Sequence, residues 1–394
     1  MAERKIIFSL IIFSLFVTGM YNNSFNCIKV HCKALENNYT FIQKTAGAGI
    51  PVMAMVKADG YGHGMVMAAK AFERAGCATF GVAELCEAVL LRQAGIPGDI
   101  YVTIGFSEED AGAIFQYDLI PVIYSYEAAQ ALSKKAAALG QKIGVHVKVD
   151  SGMGRLGLFP TDLSTFVDSI SGLPGIEIAG VMSHFPESDN PAVKSTIKNF
   201  EMFSAACRGL KNRFAGISHI ANSGAVLNFP DTYCDMVRAG IALYGYHPAG
   251  RVGSLKLDAG NLIPAMSFVS RILQVKTVPA GTWISYGHTC QTEQETRLAV
   301  LPVGYEDGYS RLLSNRGQVL IQGHRVPILG RICMNMCMVD VSGLEGLKAG
   351  DEVILLGRQG QENITADEIA AEMGSISYEV LCLLGNNNQR KYIE

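Results

Sequence analysis

The sequence places one amine where it could react. The apolar run Val52 to Val56 ends on Lys57, and Ala58-Asp59-Gly60-Tyr61-Gly62-His63-Gly64 follows at once. A lysine at the mouth of a buried strand is partly desolvated. Desolvation disfavours the ammonium, lowers the pKa and leaves a free amine that can form a Schiff base. A solitary lysine there more often marks only the end of a strand; the glycine-rich loop with Tyr61 and His63 makes this one a candidate. Other apolar runs also end on chemistry-bearing side chains: Lys148 and Asp150, Ser183 and His184, Asn222 and Ser223, and Arg238. Arg155 follows Lys148 within Asp150-Ser-Gly-Met-Gly-Arg155. Its rigid fork can donate to two oxygens at once. Arg238 is permanently charged: it donates hydrogen bonds but cannot accept a proton. Far downstream, Ile284-Ser285-Tyr286-Gly287 offers a tyrosine, whose ordinary pKa of about 10 needs charged neighbours before it can act as a base.

The elements that must position these groups recur along the chain. Val52–Val56, Thr79–Ala83, Ile100–Ile104, Ile120–Tyr124, Ile143–Val149, Ile178–Met182, Ile217–Ile220 and Met236–Leu243 are apolar runs separated by helical or glycine-rich segments. Met65 to Arg74 is the helix after the lysine loop. Strands alternating with helices predict a parallel sheet, and about eight of them predict a (β/α)8 barrel, with chemistry at the C-terminal strand ends. Near Asp258 the pattern changes to short runs broken by Gly and Pro: Ser267–Val275, Arg297–Val303, Gln318–Ile321, Met336–Val341 and Glu352–Leu356. A helix over Thr365 to Met373 is capped by Thr365, with Glu368 as its capping-box partner. The fold class is therefore α/β: a barrel over residues 26–258 and a C-terminal mostly-β domain over 259–394. Ile28 to His31 reads as a short strand, and Lys33 to Thr45 as a helix, both at the head of the barrel segment.

Composition narrows the function. Charged residues are 18% of 394, net charge is −3 and no basic tract occurs, so nucleic acid is not an expected partner. Ten cysteines are scattered without a CxxC pair and read as thiols in a reducing compartment. Cys333 and Cys337 lack a second ligand pair, so no metal site is expected. Residues 1–25 are set aside as a hydrophobic leader. Its uncharged run Ile6–Met20 follows Glu3-Arg4-Lys5 and is short for a bilayer core. A signal segment and a buried helix stay open; a membrane remnant or anchor is favoured, with the enzyme at the cytoplasmic face.

Nine consecutive residues, Val56 to Gly64, resemble the cofactor-lysine signature of the alanine racemase family. Lys148–Gly157, His219–Ser223, Met236–Gly245, Val303–Arg311 and Gly330–Asn335 resemble its other motifs. The resemblance covers residues 26 to 394 and implies a homodimer that uses pyridoxal 5'-phosphate (PLP) to racemise a small amino acid. Lys57 would carry PLP and serve as one base, and Tyr286 from the other subunit would serve as the second. Tyr61, Ser223, Gly240 and Ile241 would hold the phosphate, His184 would lie against the ring, and Arg238 would face the ring nitrogen. Arg155 would meet the phenolic oxygen and the substrate carboxylate, and the Met334 N–H would also take that carboxylate. Lys148 occupies a position often carbamylated in the family. Arginine rather than a carboxylate at the ring nitrogen disfavours transamination and speaks against the related barrel-type decarboxylases. The complete second domain speaks against a non-catalytic PLP-binding barrel.

Two positions depart from the family pattern. Asn335 stands where an aspartate is usual, and Asn386 where a tyrosine is usual, eight residues beyond Tyr378. A smaller amide opens space and adds a donor and an acceptor, which suits a hydroxymethyl side chain. With the hydrophobic leader, this resembles the racemase domain of membrane-bound vancomycin-resistance serine racemases. The expectation is an alanine/serine racemase supplying D-amino acids for peptidoglycan precursors, with a strict alanine racemase as the alternative.

Overall fold

The computed structural model describes residues 24–210, 215–250 and 262–394. The leader expected over residues 1–25 lies outside them except for its last two residues. Among the described residues no helix is long and apolar enough to cross a membrane.

Eight parallel strands form the barrel sheet: β2 (Val52–Met55), β3 (Thr79–Val82), β4 (Asp99–Val102), β5 (Ile120–Ile123), β6 (Ile143–Lys148), β7 (Ile176–Met182), β8 (Ile217–His219) and β9 (Val237–Ala239). Their spatial order is β8-β7-β6-β5-β4-β3-β2-β9. The ring closes between β9 and β8 through single bonds: Asp235 N–H to Ser218 O at 3.0 Å and Arg238 N–H to Ala221 O at 2.9 Å. The barrel strands are almost wholly apolar because helices cover their outer face while side chains fill the interior. α2 (Met65–Arg74) packs on the lysine loop, and α1 (Cys32–Ala46) and α3 (Leu85–Gln93) pack against α2. α2 has the bounds the sequence predicts.

The second sheet holds ten strands, mostly antiparallel, among them β10 (Met266–Arg271), β11 (Gln274–Val278), β12 (Thr296–Leu301), β13 (Gln318–Ile321), β14 (His324–Leu329), β15 (Cys337–Asp340) and β16 (Glu352–Gln359). β17 (Glu362–Ile364) pairs with β16, and β18 (Arg390–Ile393) closes the far edge. The expected run Ser267–Val275 divides at Ile272, which is buried and bonded to Asp351 instead of continuing the ladder. The first strand is the main departure. β1 (Cys27–His31) pairs antiparallel with β10 and parallel with β18, so its ladder belongs to the β sheet and not to the barrel that follows it. Its period-2 pattern marks a strand but carries no information about which sheet it joins.

Between β17 and β18 lie two helices. α9 (Ala366–Met373) is capped as predicted by the Thr365 hydroxyl, which accepts from Glu368 N–H at 3.2 Å. The reciprocal half of the box does not form: the Glu368 carboxylate pairs with Arg325. α10 (Ser377–Asn386) packs against the lysine loop. A Cβ on Gly62 would lie 2.3 Å from the Leu381 carbonyl oxygen, so only glycine lets the two backbones approach this closely.

Candidate active site

β2 stops at Met55, and the segment Lys57–Tyr61 makes one tight turn. Ala58, Asp59, Gly60 and Tyr61 all have positive φ, between 50° and 62°. Left-handed backbone costs a residue with a Cβ roughly 1–2 kcal/mol, so the turn persists only because neighbours over-determine it. Glu87 on α3 accepts the Ala58 N–H at 2.7 Å and, through its other oxygen, the Ala83 N–H at 2.8 Å. Asp59 accepts the Met65 N–H at 2.7 Å, in the first turn of α2. This geometry presents Lys57 at the barrel mouth. Burial holds its amine below the usual lysine pKa, and the charge of Arg155 adds to the effect; Glu87 opposes it. A free amine is thereby more accessible near neutral pH, as the sequence argument requires.

Arg238 lies inside the barrel on β9, buried, rather than at a strand end. The expected strand Met236–Leu243 is shorter because the backbone leaves the sheet at Gly240 and turns into a short helical segment, Ile241–Tyr244. The Arg238 guanidinium donates to the carbonyl oxygens of Ser183 at 2.6 Å, His219 at 3.0 Å and Ile220 at 3.2 Å. It also donates to His219 Nδ1 at 3.0 Å and His184 Nδ1 at 3.3 Å. Arginine accepts nothing, so both Nδ1 atoms must be acceptors and both rings carry their proton on Nε2. His219 then donates from Nε2 to His146 Nδ1, 2.9 Å away. Burial, reinforced by the Arg238 charge, pushes His184 and His219 well below the ordinary histidine pKa, so this chain is neutral around one permanent cation.

Around the mouth, the Ser223 hydroxyl accepts N–H groups from Gly240 at 2.8 Å and Ala242 at 3.4 Å. A Cβ on Gly240 would sit 2.4 Å from the Tyr61 hydroxyl oxygen. Tyr61, Ser223 and the Gly240 turn therefore meet at one point, which suits an anion with several oxygens. The charges agree. Lys57, Lys148, Arg155 and Arg238 lie within electrostatic range of one another. The nearby Asp150 carboxylate is already engaged by the N–H groups of Gly152, Met153, Gly154 and Arg155. A group of cations, Lys148 and Arg238 buried, Lys57 half-buried and Arg155 exposed, with so little acid of its own fits a cofactor bearing a phosphate and a phenolate. Lys148 is buried, and its pKa falls to about 7, first through desolvation and then through Arg238 and Arg155.

The β domain contributes side chains of a different kind. Tyr286 is 71% exposed and Met334 54% exposed. Among the described residues neither is hydrogen-bonded to the Lys57 group. Ser285, just before Tyr286, has φ 65° and ψ −168°, a region that costs a non-glycine residue roughly 1–3 kcal/mol. Its hydroxyl donates to the Arg331 carbonyl at 2.6 Å, which holds the strained backbone. Asn335 is turned to Glu306, at 3.2 Å, and not to the barrel. Asn386 ends α10, and its carbonyl oxygen accepts from Arg390 at 3.1 Å. Sequence reasoning passed over Glu87, Asp59 and Arg390. The signal for Glu87 was its place three residues after Glu84 at the start of α3, where a side chain folds back onto backbone N–H groups.

A desolvated lysine at the mouth of a parallel barrel, near a permanent cation and an anion cradle, suits an enzyme that binds a phosphorylated cofactor through an amine. Two family models match the chain: alanine racemase N-terminal domain over residues 30–248, and alanine racemase C-terminal domain over residues 265–392. The curated alanine racemase of Desulfovibrio desulfuricans is 40% identical, over 93% of this chain and 97% of its own length. The solved alanine racemase of Clostridium difficile superposes with a TM-score of 0.87 at 34% identity, covering 94% of this chain and 96% of that one. That of Bartonella henselae, with covalently bound pyridoxal phosphate, gives 0.84 at 28% identity and covers 94% of this chain and all of that one (100%). The chain belongs to the alanine racemase family: it is a PLP-dependent isomerase that racemises amino acids.

Proposed function

We propose that the chain interconverts L- and D-alanine in a site shared between two copies, and that Asn386 lets it act on serine as well. The observation that carries the reading is the half-buried, deprotonation-prone Lys57 at the edge of a cationic pocket. Lys57 would hold PLP, which when bound would supply the electron-withdrawing group that acidifies the substrate's α-proton. Lys57 removes or returns that proton on one face of the α-carbon. Tyr286 of a second copy does so on the other face, and its exposure in the single chain supports that role. His184, held neutral and bonded to Arg238, would connect the ring nitrogen's side of the site to the second copy's tyrosine. Arg238 would face the ring nitrogen and keep it unprotonated, because a guanidinium cannot supply its partner with an acceptor. Tyr61, Ser223 and the N–H groups of Gly240 and Ile241 hold the phosphate; Arg155 and the Met334 N–H orient the substrate carboxylate.

Lys148 is carbamylated in this reading. At neutral pH its depressed pKa leaves the uncharged amine that adds carbon dioxide, and the resulting anion offsets Arg155 and Arg238.

The serine reading rests on Asn386, which ends the helix that packs on the lysine loop. It is also what the finer resemblance to resistance-linked serine racemases depends on, because the leader lies almost wholly outside the described residues. A chiral assay of the PLP-loaded protein with L-alanine and L-serine side by side tests both parts. Turnover of both is expected; turnover of alanine alone removes serine and keeps the racemase, and turnover of neither removes the whole reading.

A further inference from the structure

The C-terminal strand β18 touches the lysine loop through one side chain in particular. Arg390 spreads its fork over three places. One terminal nitrogen, Nη1, pairs with Asp59 Oδ2 at 2.6 Å, Nε donates to the Gly62 carbonyl at 2.8 Å, and Nη2 donates to Asn386 Oδ1 at 3.1 Å. Asp59 and Gly62 belong to the left-handed turn that presents Lys57 and Tyr61, and Asn386 ends α10. The other Asp59 oxygen is bonded to the Met65 N–H, so the carboxylate links Arg390 to the first turn of α2. Tyr392, two residues on, fills the space beside Gly64: a Cβ there would lie 2.0 Å from its hydroxyl.

The turn is costly and needs an external hold. Asp59 and Tyr61 keep positive φ although each carries a Cβ. Glu87 secures its first N–H; Arg390 secures its carboxylate and its last carbonyl. The same guanidinium also settles an ambiguity at Asn386. Arginine only donates, so the amide must present its oxygen to Arg390 and turn its NH2 the other way.

We propose that Arg390 is a positioning residue for this reaction: it holds the strained turn that aims Lys57 and Tyr61, and it fixes the Asn386 amide with the NH2 directed away from β18. The second half rests on the proposed serine reading, in which that NH2 donates to the substrate hydroxyl. The first half stands without it.

The test compares Arg390→Met and Arg390→Lys with the parent in the full-length chain. PLP affinity is read by absorbance titration, amide hydrogen exchange is read over residues 57–64, and kcat and KM are measured for alanine and serine. With Arg390→Met, PLP affinity and kcat on alanine are each expected to fall about tenfold, as loss of a charged hydrogen-bond set predicts. Exchange at Gly60 and Gly62 is expected to rise. Arg390→Lys keeps the charge at Asp59, but one ammonium cannot also span Gly62 and Asn386. It is expected to restore PLP affinity to within about threefold while the serine-to-alanine ratio of kcat/KM stays lowered. Arg390→Met with PLP affinity, kcat and loop exchange all within about twofold of the parent, and only a lower Tm, overturns the proposal. Where Arg390→Met does not fold, Arg390→Lys decides: unchanged exchange at Gly62 and an unchanged serine-to-alanine ratio overturn it. A parent inactive on serine defeats the Asn386 reading alone, since PLP affinity and exchange still judge the hold on the turn.

Discussion

The barrel mouth and the exposed face of the β domain are built in opposite ways. At the mouth, Arg238 donates to three carbonyls and two imidazoles, and the histidine chain behind it is neutral and buried. The geometry there is complete within one chain. On the β domain, Tyr286 and Met334 stand in the open, with Tyr286 aimed by a strained Ser285 whose hydroxyl is tied to Arg331. One region is organised for a ligand; the other is organised for something that arrives from outside the chain. Proton transfer on two faces of a planar carbon needs both kinds of surface, and in the proposed function a second copy of the same chain would supply the missing half to each.

The largest effect that would sharpen this contrast is at Tyr286. Tyr286→Phe is expected to lower kcat by about 10²–10⁴-fold, the usual worth of a positioned acid–base group, with PLP still bound. Mixing inactive Lys57→Ala with inactive Tyr286→Phe should restore activity, because one site of each mixed dimer then has both groups. Failure to restore it would break the shared-site reading and leave Tyr286 serving its own chain.

At the mouth, the Lys148 pKa of about 7 gives a pH test. Below that value the folded-state amine is protonated and cannot add carbon dioxide. Carbamate occupancy, read by carbon-13 NMR with labelled bicarbonate, should therefore fall as pH drops through about 7. The linkage has a sign that can also be checked. Between about 7 and the ordinary lysine value the unfolded chain binds the extra proton, so stability without carbamate rises with pH across that window. Lys148→Met should flatten that slope; a slope that is unchanged would mean Lys148 is not the buried titrating group.

A smaller effect is expected at Asn386. Asn386→Tyr should lower the serine-to-alanine ratio of kcat/KM by about tenfold or more, since a lost hydrogen bond and lost space are each worth about 1–3 kcal/mol. The smallest is at Ser285. Ser285→Gly relieves roughly 1–3 kcal/mol of backbone strain but loses a hydrogen bond of about 1 kcal/mol. Tm should change little while kcat falls, since Tyr286 is less firmly aimed. A lower Tm with unchanged kcat would make the strain a packing matter only.

Much of the molecule is legible in the one-dimensional pattern. The eight apolar runs and their spacing determine the barrel, because a parallel strand buried on both faces must be apolar throughout. The lysine loop, the arginines and the tyrosine are local motifs, so their identities are readable before any fold is known. Other features depend on residues that meet only in three dimensions. β1 follows period-2 alternation, yet which sheet it joins is decided by free edges on β10 and β18 more than two hundred residues away. The expected capping partner Glu368 turns to Arg325, a stronger charged neighbour brought in by β14. Arg390, Glu87 and Asp59 hold the strained turn together through contacts 29 and more residues apart for Glu87 and Arg390.

The sequence by itself determined which groups are the candidates for the chemistry, since reactivity at Lys57, charge at Arg238 and the hydroxyl of Tyr286 are properties of residue type. Only the tertiary structure decided their states. Desolvation by the packed barrel lowers the pKa of Lys57 and Lys148, the fixed donors of Arg238 choose the tautomers of His184 and His219, and Tyr286 is left exposed. Those are consequences of distance and burial, which no single-chain pattern encodes.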